Sequence, residues 1–368
     1  MKYYIVAGEA SGDLHASNLI RELKKKDPQA EFRCWGGDLM QAQGAVLVKH
    51  YRDLAFMGFT EVAMNLRTIL ANIELCKTDI LAWKPDVVIL VDYPGFNLRI
   101  AGFVKEKGIR VFYYISPAIW AWKQSRVHKI KRSVDRMFTI LPFERDFYKR
   151  FDFDVDFVGH PLLDALVHSQ ENDLTIHTDK PIVALLPGSR KQEISRMLPV
   201  MLAVRKQFPE FHFVVAGAPS ITKEYYDSII EGDKVEVVYG QTYKLLRQSF
   251  AALVTSGTAT LEAGLFRVPQ VVCYKAGSIS YHIAKRLVKI KYISLVNLIM
   301  DRPIVKELIQ DDFNETQLAL ELRKITTDTT NRQRMLNELD ELKVKLGGPG
   351  ASERLAGLMV NYLNEKHA

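Results

Sequence analysis

Pro181-Ile-Val-Ala-Leu-Leu-Pro-Gly-Ser-Arg190 leads from a short apolar strand into a glycine turn that ends on a basic residue. Further along the chain, Val254-Thr-Ser-Gly-Thr-Ala-Thr-Leu-Glu262 repeats the arrangement of strand, glycine turn and helix start. Glycine lets the main chain approach a phosphate closely, and the free N–H groups at the start of the following helix then face the anion. Two such turns in one lobe predict a pyrophosphate site.

The predicted pyrophosphate site draws on six residues of these turns. They are Gly188, Ser189, Arg190, Ser256, Gly257 and Thr258. An acid, Glu262, follows on the first helical turn after the second glycine, where its carboxylate can accept hydrogen bonds from ribose hydroxyls. The combination predicts a nucleotide-sugar binding site.

Short apolar runs alternate with longer amphipathic segments along the chain. The runs are 3–7, 87–91, 111–115, 137–141, 182–186, 213–216, 253–255 and 270–273. Strands that alternate with helices form parallel sheets covered on both faces, and ligands bind beyond the carboxyl ends of their strands. The sequence therefore predicts an α/β protein with parallel, Rossmann-like sheets.

A polar stretch from His168 to Lys180 separates the two sets of runs, which predicts two lobes that face each other across a cleft. The predicted domains are 1–167 and 168–349. Gly347-Gly-Pro-Gly350 breaks the chain before a last amphipathic helix, 350–368. This helix can dock on either lobe and is assigned to the first.

Composition narrows the class of protein. The chain has 368 residues and a net charge of +7, which favours anionic substrates or an anionic bilayer surface without calling for nucleic acid. Its three cysteines are widely spaced, which argues against disulfides and structural zinc and favours a reducing cytoplasm. No apolar run reaches the length of a signal peptide core or a membrane span, so any membrane contact is expected to be peripheral.

An acid, Asp92, ends the wholly apolar run Val87–Val91 and opens the segment Asp92-Tyr-Pro-Gly-Phe-Asn97. Partial burial at this position raises the pKa of a carboxyl group toward that of a working general base. The alternative is that Asp92 caps the next helix. We predict a catalytic role.

The first strand ends in Gly8-Glu-Ala-Ser-Gly-Asp13, a glycine turn that lacks the GxGxxG spacing of a dinucleotide fingerprint. A nicotinamide cofactor is therefore disfavoured. Glu9, Ser11 and Asp13 are candidate ligands of a substrate. The alternative is a tight turn in which Ser11 or Asp13 only caps a helix.

Eight short segments, spread in order along nearly the whole chain, carry a resemblance to a known family. They are Gly8-Glu-Ala-Ser-Gly-Asp13, Met57-Gly58 with Glu61-Val62, Lys84-Pro-Asp86 with Asp92-Tyr-Pro-Gly-Phe-Asn97, Ser116-Pro117 with Trp120-Ala-Trp122, Leu141-Pro-Phe-Glu144, Leu185-Leu-Pro-Gly-Ser-Arg190, Ser256-Gly-Thr-Ala-Thr-Leu-Glu262 and Val296-Asn-Leu298. Together they resemble the lipid-A-disaccharide synthase family. Some members carry a second acid shortly after the one at Asp92, where this chain has Gly95.

The resemblance implies a GT-B glycosyltransferase that acts with inversion in lipid A biosynthesis of Gram-negative bacteria. The implied substrates are UDP-2,3-diacylglucosamine and 2,3-diacylglucosamine 1-phosphate, bound by domains 168–349 and 1–167 respectively. In this scheme Asp92 is the base, Arg190 and the turn amides stabilise the diphosphate, and Glu262 binds the ribose. No metal or other cofactor is implied. The enzyme would be cytoplasmic and peripherally associated with the inner membrane.

Three further residues match family positions. Asn297 corresponds to a position near the nucleotide, although an Asn in an apolar segment equally well satisfies backbone groups. Trp120 and Trp122 either line the cleft or fill the core, the more common place for aromatic side chains.

Asp152-Phe-Asp-Val-Asp156 contains the DxD pattern that metal-dependent glycosyltransferases use. Its alternation instead favours a half-buried edge strand with three acids on the solvent face, so no metal site is predicted.

An apolar stripe at helical spacing provides a candidate acyl-chain or membrane patch. Its members are Met57, Phe59, Val62, Leu66, Ile69, Leu70 and Ile73. The alternative is an ordinary core-facing stripe.

Two other functions stay open on the residues alone. One is a different UDP-sugar enzyme on the same scaffold, such as a UDP-N-acetylglucosamine 2-epimerase or another lipid-acceptor transferase. The other is a non-catalytic protein that binds a nucleotide sugar without turning it over.

Overall fold

The computed structural model describes residues 1–54, 66–168, 176–230, 232, 235–277, 281 and 290–365. The chain divides into two compact units, Met1–Asp164 with Leu346–Ala368, and Ala165–Lys345. The sequence-based boundaries fall after residues 167 and 349, and the structural ones fall after Asp164 and Lys345.

In the described ranges, the first unit contains a seven-stranded sheet. Its strands are β1 (Lys2–Ala7), β2 (Glu31–Gly36), β3 (Val46–His50), β4 (Val87–Val91), β5 (Arg110–Tyr114), β6 (Arg136–Thr139) and β7 (Asp156–Phe157). Their order is β3-β2-β1-β4-β5-β6-β7, and each pairing is parallel. The strand order reverses between β1 and β4, so the loops that follow these two strands form the expected ligand-binding point of the sheet.

Helices cover both faces of this sheet. The described helices are α1 (Ala10–Lys26), α2 (Asp38–Ala42), α3 (Leu66–Trp83), α4 (Pro94–Glu106), α5 (Ile119–Trp122), α6 (Val127–Ser133), α7 (Pro142–Lys149) and α8 (Leu162–His168), with 3-10 turns at Tyr51–Asp53 and Gln124–Arg126. Strand β4 lies between the two layers, where Val88 and Leu90 join one core and Val87, Ile89 and Val91 join the other. A strand buried on both faces explains why this run is apolar at every position.

The second unit has a six-stranded sheet within the part of the chain that the structure describes. Its strands are β8 (Ile182–Leu186), β9 (His212–Gly217), β10 (Glu236–Tyr239), β11 (Ser249–Thr255), β12 (Gln270–Tyr274) and β13 (Lys306–Ile309). The order is β10-β9-β8-β11-β12-β13, again with parallel pairings. The reversal lies between β8 and β11, the strands that precede the two glycine turns. The predicted α/β class with two parallel sheets is confirmed.

Seven described helices accompany this second sheet. They are α9 (Lys191–Val204), α10 (Lys223–Ile230), α11 (Thr242–Gln248), α12 (Thr258–Leu265), α13 (Leu295–Met300), α14 (Glu315–Thr326) and α15 (Thr329–Lys345), with 3-10 turns at Arg205–Gln207 and Gln310–Asp312. Within the described ranges, no helix combines the length and the apolar character needed to cross a bilayer.

The last helix, α16 (Ala351–Asn364), packs against α1 of the first unit. Its residues Leu355, Ala356 and Met359 are fully buried in the core of that unit. The Asp164 carboxylate accepts hydrogen bonds from the main-chain N–H groups of residues 350, 351 and 352 at 2.6, 3.2 and 2.9 Å. A carboxylate at the first turn of a helix satisfies free N–H groups and the helix dipole, so Asp164 fixes where α16 begins.

The edge strand β7 is shorter than the sequence predicts. The exposure of residues 152–157 alternates as expected, with Val155 buried and Asp152 and Asp154 exposed, but the regular strand covers only Asp156–Phe157. Asp152 has a φ of 51°. This left-handed conformation is incompatible with an extended strand, so the prediction of a strand from residue 152 is wrong.

Candidate active site

The two glycine turns of the second unit lie side by side. Strands β8 and β11 are paired, with Leu186 opposite Val254, so both turns leave the same edge of the sheet. They line one pocket with a volume of about 550 Å³. Its lining residues are Leu186, Gly188, Ser189, Arg190, Glu193, Ala216, Gly217, Ala218, Pro219, Thr242, Thr255, Ser256, Gly257, Thr258, Ala259 and Glu262. All seven predicted diphosphate and ribose ligands of the turns are therefore together in one pocket.

The start of α12 is open toward this pocket. Gly257 precedes the helix with a φ of 131°, a conformation that side chains rarely adopt, and open space surrounds the position of a Cβ atom there. Among the described residues, no side chain caps the helix. Its first N–H groups are thus available to an anion, and the helix dipole favours negative charge at this point.

The start of α9 is different, because the Glu193 carboxylate already lies there. Its Oε2 atom accepts hydrogen bonds from the main-chain N–H groups of Ser189 at 3.1 Å and Arg190 at 3.3 Å. This is the acid of a capping box at the third helical position. The amides of Ser189 and Arg190 are therefore already paired, contrary to the prediction that they are free to bind a diphosphate. The sequence signal for this pairing is the acid three residues after Arg190.

The Arg190 side chain stays accessible in this arrangement. It is 71% exposed, and within the described part of the chain its one ion pair is a long one with Glu193, at 3.4 Å between Nη1 and Oε1. Exposed ion pairs of this kind contribute little to stability, so the guanidinium can turn to a diphosphate without a large loss.

Glu262 lies deeper in the pocket. Burial raises the pKa of its carboxyl group, and the hydroxyl of Tyr243 donates a hydrogen bond of 3.4 Å to Oε1, which opposes that rise. A partly buried carboxylate that accepts one hydrogen bond has lone pairs left for further donors, such as a pair of ribose hydroxyls. Tyr243 gives no motif signal in the sequence, because only the fold brings it to Glu262.

Asn297 lies apart from the lining of this pocket. Its fully buried amide donates to the carbonyl of Val305 at 2.9 Å and accepts from the Val305 N–H at 3.0 Å. It also donates to Glu307, whose carboxylate accepts from the N–H of Ile293. The Ile293 carbonyl in turn accepts the Ser256 hydroxyl at 2.9 Å. Asn297 therefore satisfies main-chain groups, and this network holds the second glycine turn in place.

In the first unit, Asp92 follows β4 in a left-handed conformation. Asp92 and Tyr93 have φ values of 45° and 48°, which are unfavourable for residues other than glycine. Burial raises the pKa of the Asp92 carboxyl group to about 6, and the negative charge of Glu9 contributes to this rise. A carboxyl group with a pKa near neutrality suits a general base, and the catalytic role of Asp92 stays a prediction.

Two buried side chains hold the main chain of Asp92. The Asn97 amide donates to the Asp92 carbonyl at 2.7 Å, and the Tyr113 hydroxyl donates to the same oxygen at 2.6 Å. Asn97 lies in the segment that the sequence singles out, but its role is not visible there. In the sequence, Tyr113 is indistinguishable from other aromatic residues of a buried strand. Only the pairing of β4 with β5 brings it to Asp92.

The loop after β1 lies next to Asp92, since Ala7 pairs with Val91. A Cβ atom on Gly8 would come within 2.3 Å of the Tyr93 ring, so a larger residue at position 8 would displace this loop. Ser11 is exposed on the first turn of α1. Glu9 and Ser11 therefore stay candidate ligands at this edge.

Asp13 has a structural role instead. It is 2% exposed, and its carboxylate accepts hydrogen bonds from the N–H groups of Gly37 at 2.8 Å, Leu39 at 3.1 Å and Met40 at 3.1 Å. It thus caps α2, a helix distant in sequence, and the assignment of Asp13 to the acceptor site is wrong. The alternative of a helix cap applies, although to a different helix from the one expected.

The two tryptophans have different environments. Trp120 packs edge-on against Phe143, with ring centroids 4.9 Å apart, and belongs to the margin of the core. Trp122 is 51% exposed.

Nearby Glu144 is fully buried, and burial raises the pKa of its carboxyl group to about 8. Its Oε2 atom accepts a hydrogen bond from the Leu141 N–H at 3.0 Å.

The predicted apolar stripe divides into different environments. Met57, Phe59 and Val62 lie outside the described residues, as does the side chain of Leu66. Ile73 is 4% exposed in the core and Ile69 packs against that core, so Ile73 is wrongly assigned to a lipid patch. Leu70 is 49% exposed and stays a candidate.

The DxD acids are placed as follows. The Tyr362 hydroxyl donates to both Asp156 oxygens, at 3.2 and 3.0 Å. Among the described residues, no His, Cys, Asp and Glu side chains group in a way that could hold a metal ion.

The sequence of the chain is similar to those of known proteins along nearly its whole length. A model of the lipid-A-disaccharide synthetase family matches residues 3–353. Lipid-A-disaccharide synthases of Syntrophus aciditrophicus and Myxococcus xanthus are 41% and 40% identical to the chain, each over 98% of it and 97% of the relative. Lipid-A-disaccharide synthase 1 of Legionella pneumophila (strain Paris) is 37% identical over 99% of the chain and 98% of the relative.

Solved structures share the fold at much lower identity. A putative UDP-N-acetylglucosamine 2-epimerase of Listeria monocytogenes has a TM-score of 0.69 at 12% identity, over 100% of this chain and 97% of the other. The glycotransferase of kitacinnamycin has a TM-score of 0.68 at 15% identity, over 98% and 99%. These structures support the fold alone. From the family match and the identity to its relatives, the chain belongs to the lipid-A-disaccharide synthase family and is a glycosyltransferase of lipid A biosynthesis.

Proposed function

We propose that this glycosyltransferase transfers 2,3-diacylglucosamine from UDP-2,3-diacylglucosamine to the 6-hydroxyl of 2,3-diacylglucosamine 1-phosphate. The acceptor oxygen bonds to the anomeric carbon as the bond from that carbon to the diphosphate breaks. The products are the β-linked disaccharide 1-phosphate, UDP and one proton, and the anomeric configuration inverts.

The observation that carries this proposal is the partly buried carboxyl group of Asp92, which lies at the strand-order reversal of the first unit. The acceptor hydroxyl must lose its proton as it attacks, and Asp92 is the proposed acceptor of that proton. With a pKa of about 6, Asp92 is mostly ionised at neutral pH yet more basic than an ordinary aspartate.

The second unit is the proposed site of UDP. Negative charge develops on the diphosphate as the glycosidic bond breaks, and fixed N–H groups stabilise such charge without having to reorganise. The open start of α12 supplies these groups, the exposed Arg190 guanidinium supplies a cation, and Glu262 accepts the ribose hydroxyls. The amides paired with Glu193 are a secondary contribution, because they must first release its carboxylate.

We further propose that the enzyme works in the cytoplasm, peripherally bound to the inner membrane. Both proposed substrates carry acyl chains, and their sugars stay at the level of the lipid headgroups. The exposed Leu70 of α3 is a candidate contact for acyl chains.

The test is UDP release by the purified protein in detergent, with UDP-2,3-diacylglucosamine, with and without 2,3-diacylglucosamine 1-phosphate. Mass spectrometry identifies the lipid product. We expect UDP release that depends on the acceptor, a disaccharide monophosphate, and loss of both in Asp92→Asn.

Each alternative function predicts another result. Conversion of UDP-N-acetylglucosamine without a lipid acceptor, either to its UDP-linked 2-epimer or with hydrolysis to UDP and the free sugar, would indicate an epimerase-type enzyme. Tight UDP binding with no product from any acceptor would indicate a binding protein, and Asp92→Asn would then have no rate to reduce.

A further inference from the structure

Trp122 is an apolar side chain that the fold leaves in solvent. It ends the short helix α5 and is 51% exposed, whereas its neighbour Ile119 is 1% exposed and Trp120 joins the core margin. Large exposed aromatic residues are unusual on a globular surface and are enriched where proteins meet the headgroup region of a membrane.

Two cations flank this ring. The Lys123 Nζ atom lies 5.6 Å from the centroid of the Trp122 ring, and the Arg126 guanidinium carbon lies 5.0 Å from it. Attraction between a cation and the ring face holds the three side chains together. We call this group of Trp122, Lys123 and Arg126 the Trp122 surface.

The Trp122 surface lies in a stretch of the chain that is rich in cations. From Lys107 to Val134 the chain contains no acidic residue. Helix α6 buries Val127 and Ile130 and leaves further cations in solvent. These cations are Lys129, Lys131 and Arg132. Neither they nor Lys123 and Arg126 form an ion pair with any described residue. Elsewhere in the chain, cations such as Arg33 and Arg302 pair closely with carboxylates.

The segment that carries the Trp122 surface leaves the sheet at the same edge as the proposed base. The Trp122 segment follows β5, which pairs with β4 up to Val91 opposite Tyr114, and the Asp92 N–H donates to the Tyr114 carbonyl at 2.9 Å. The two strands are parallel, so the segments that follow them leave the same edge of the sheet.

We propose that the Trp122 surface binds anionic phospholipid at the membrane face, with the indole among the headgroups and Lys123 and Arg126 on lipid phosphates. The inference rests on the proposed function, because a lipid-linked acceptor stays in the bilayer while its sugar reaches Asp92. The cations favour an anionic partner. Cations are sufficient to bind the phosphates of nucleic acid, and they would not account for the exposed indole, so we favour the headgroup layer of a membrane.

The experiment is co-sedimentation of the full-length protein with vesicles, without nucleotide sugar. One set is phosphatidylcholine, and the other is phosphatidylcholine with phosphatidylglycerol. We expect binding to the anionic vesicles only, weakened as ionic strength rises from about 0.05 M to about 0.5 M. Lys123→Gln with Arg126→Gln should lower the partition coefficient about 30-fold, and Trp122→Ala about tenfold.

Matched controls sit on the second unit. Lys206→Gln with Lys343→Gln removes the same charge from exposed positions, and Val344→Ala trims a side chain that is 80% exposed. Both should bind vesicles like the wild type. Circular dichroism and the thermal midpoint establish that the Trp122 surface variants are folded.

Several results would overturn the proposal. These are equal binding by the Trp122 surface variants and the wild type, equal losses in the control variants, binding independent of phosphatidylglycerol, and no binding at all. Binding to a short DNA duplex that matches the anionic vesicles would also overturn it. Since no nucleotide sugar is present, a negative vesicle result leaves the transferase proposal standing, and a failed transferase assay in detergent leaves a positive vesicle result standing.

Discussion

The hydroxyl of Tyr113 donates a hydrogen bond of 2.6 Å to the main-chain carbonyl of Asp92. Together with the Asn97 amide on the same oxygen, it holds Asp92 and Tyr93 in a left-handed conformation that costs about 1–3 kcal/mol for each residue. The strain of these two residues falls at the proposed base, and neighbouring side chains stabilise it.

Removing this hydroxyl should therefore misplace the base. We expect Tyr113→Phe to lower kcat about tenfold, with little change in the affinity for UDP, which is proposed to bind the other unit. The matched control is Tyr114→Phe, because the buried Tyr114 hydroxyl has no hydrogen-bond partner among the described residues. Steady-state kinetics and UDP titration measure both effects. Equal kcat losses in the two variants would argue against a positioning role.

Replacing the base should stabilise the fold. The pKa of Asp92 rises from its ordinary value of 3.8 to about 6 on folding, so the folded state holds its proton more tightly and loses stability as pH rises through this window. Asp92→Asn removes this cost, and its free energy of unfolding at pH 7 should exceed that of the wild type by up to about 3 kcal/mol. Urea unfolding at pH 7 and pH 3.5 tests this. The difference between the two proteins should shrink at the lower pH, and a constant difference would contradict the assignment.

Glu9 should shift the pH profile. Its negative charge helps to raise the pKa of Asp92, so the acidic limb of kcat/KM, expected near pH 6 in the wild type, should move to lower pH in Glu9→Gln. Glu106→Gln removes an exposed acid of the same unit as a control. An unmoved limb in Glu9→Gln, measured over pH 4.5–8, would mean that another group limits the rate.

Glu262 should govern nucleotide affinity. Loss of a charged acceptor for ribose hydroxyls should weaken UDP binding about tenfold or more in Glu262→Gln, and Tyr243→Phe should weaken it less, because Tyr243 only donates to Glu262. Isothermal titration with UDP measures both, with Asp92→Asn as the control that should bind like the wild type. Unchanged affinity in Glu262→Gln would remove this residue from the site.

Two histidines, the buried His160 and the partly buried His15, should make the first unit sensitive to acid. Burial lowers the pKa of His15 to about 4 and that of His160 to about 3. The unfolded chain takes up protons near pH 6.5 while the folded one does not, so their contribution to stability is present above pH 6.5 and is lost as pH falls toward 4. The advantage of the wild type over His160→Asn in urea unfolding should therefore shrink between pH 7 and pH 4.5. Exposed His128→Gln should show no such trend.

The sequence predicts those features that depend on local pattern. Apolar runs that end in glycine turns locate β8 and β11, and parallel pairing then requires that Gly188 and Gly257 share an edge of the sheet. The position of Asp92 after a wholly apolar run likewise follows from the order of residues.

Contacts between residues far apart in sequence could not be predicted. Asp13 reads as the cap of its own helix, but its carboxylate bonds to Gly37, 24 residues away. Tyr243 has no local feature that links it to Glu262. The contact between the two residues depends on how α11 and α12 lie beside β11. Even within one segment, the backbone conformation of a single residue can override the alternating pattern. The left-handed conformation of Asp152 shortens β7 in this way.

Helix α16 makes the order of synthesis matter. Leu355 and Met359 complete the core of the first unit. The Asp164 carboxylate can bind the N–H groups of residues 350–352 only after these residues have been synthesised. A ribosome produces this helix after every strand of the second sheet. The apolar surface of α1 that α16 covers must therefore stay uncovered while the second unit is synthesised.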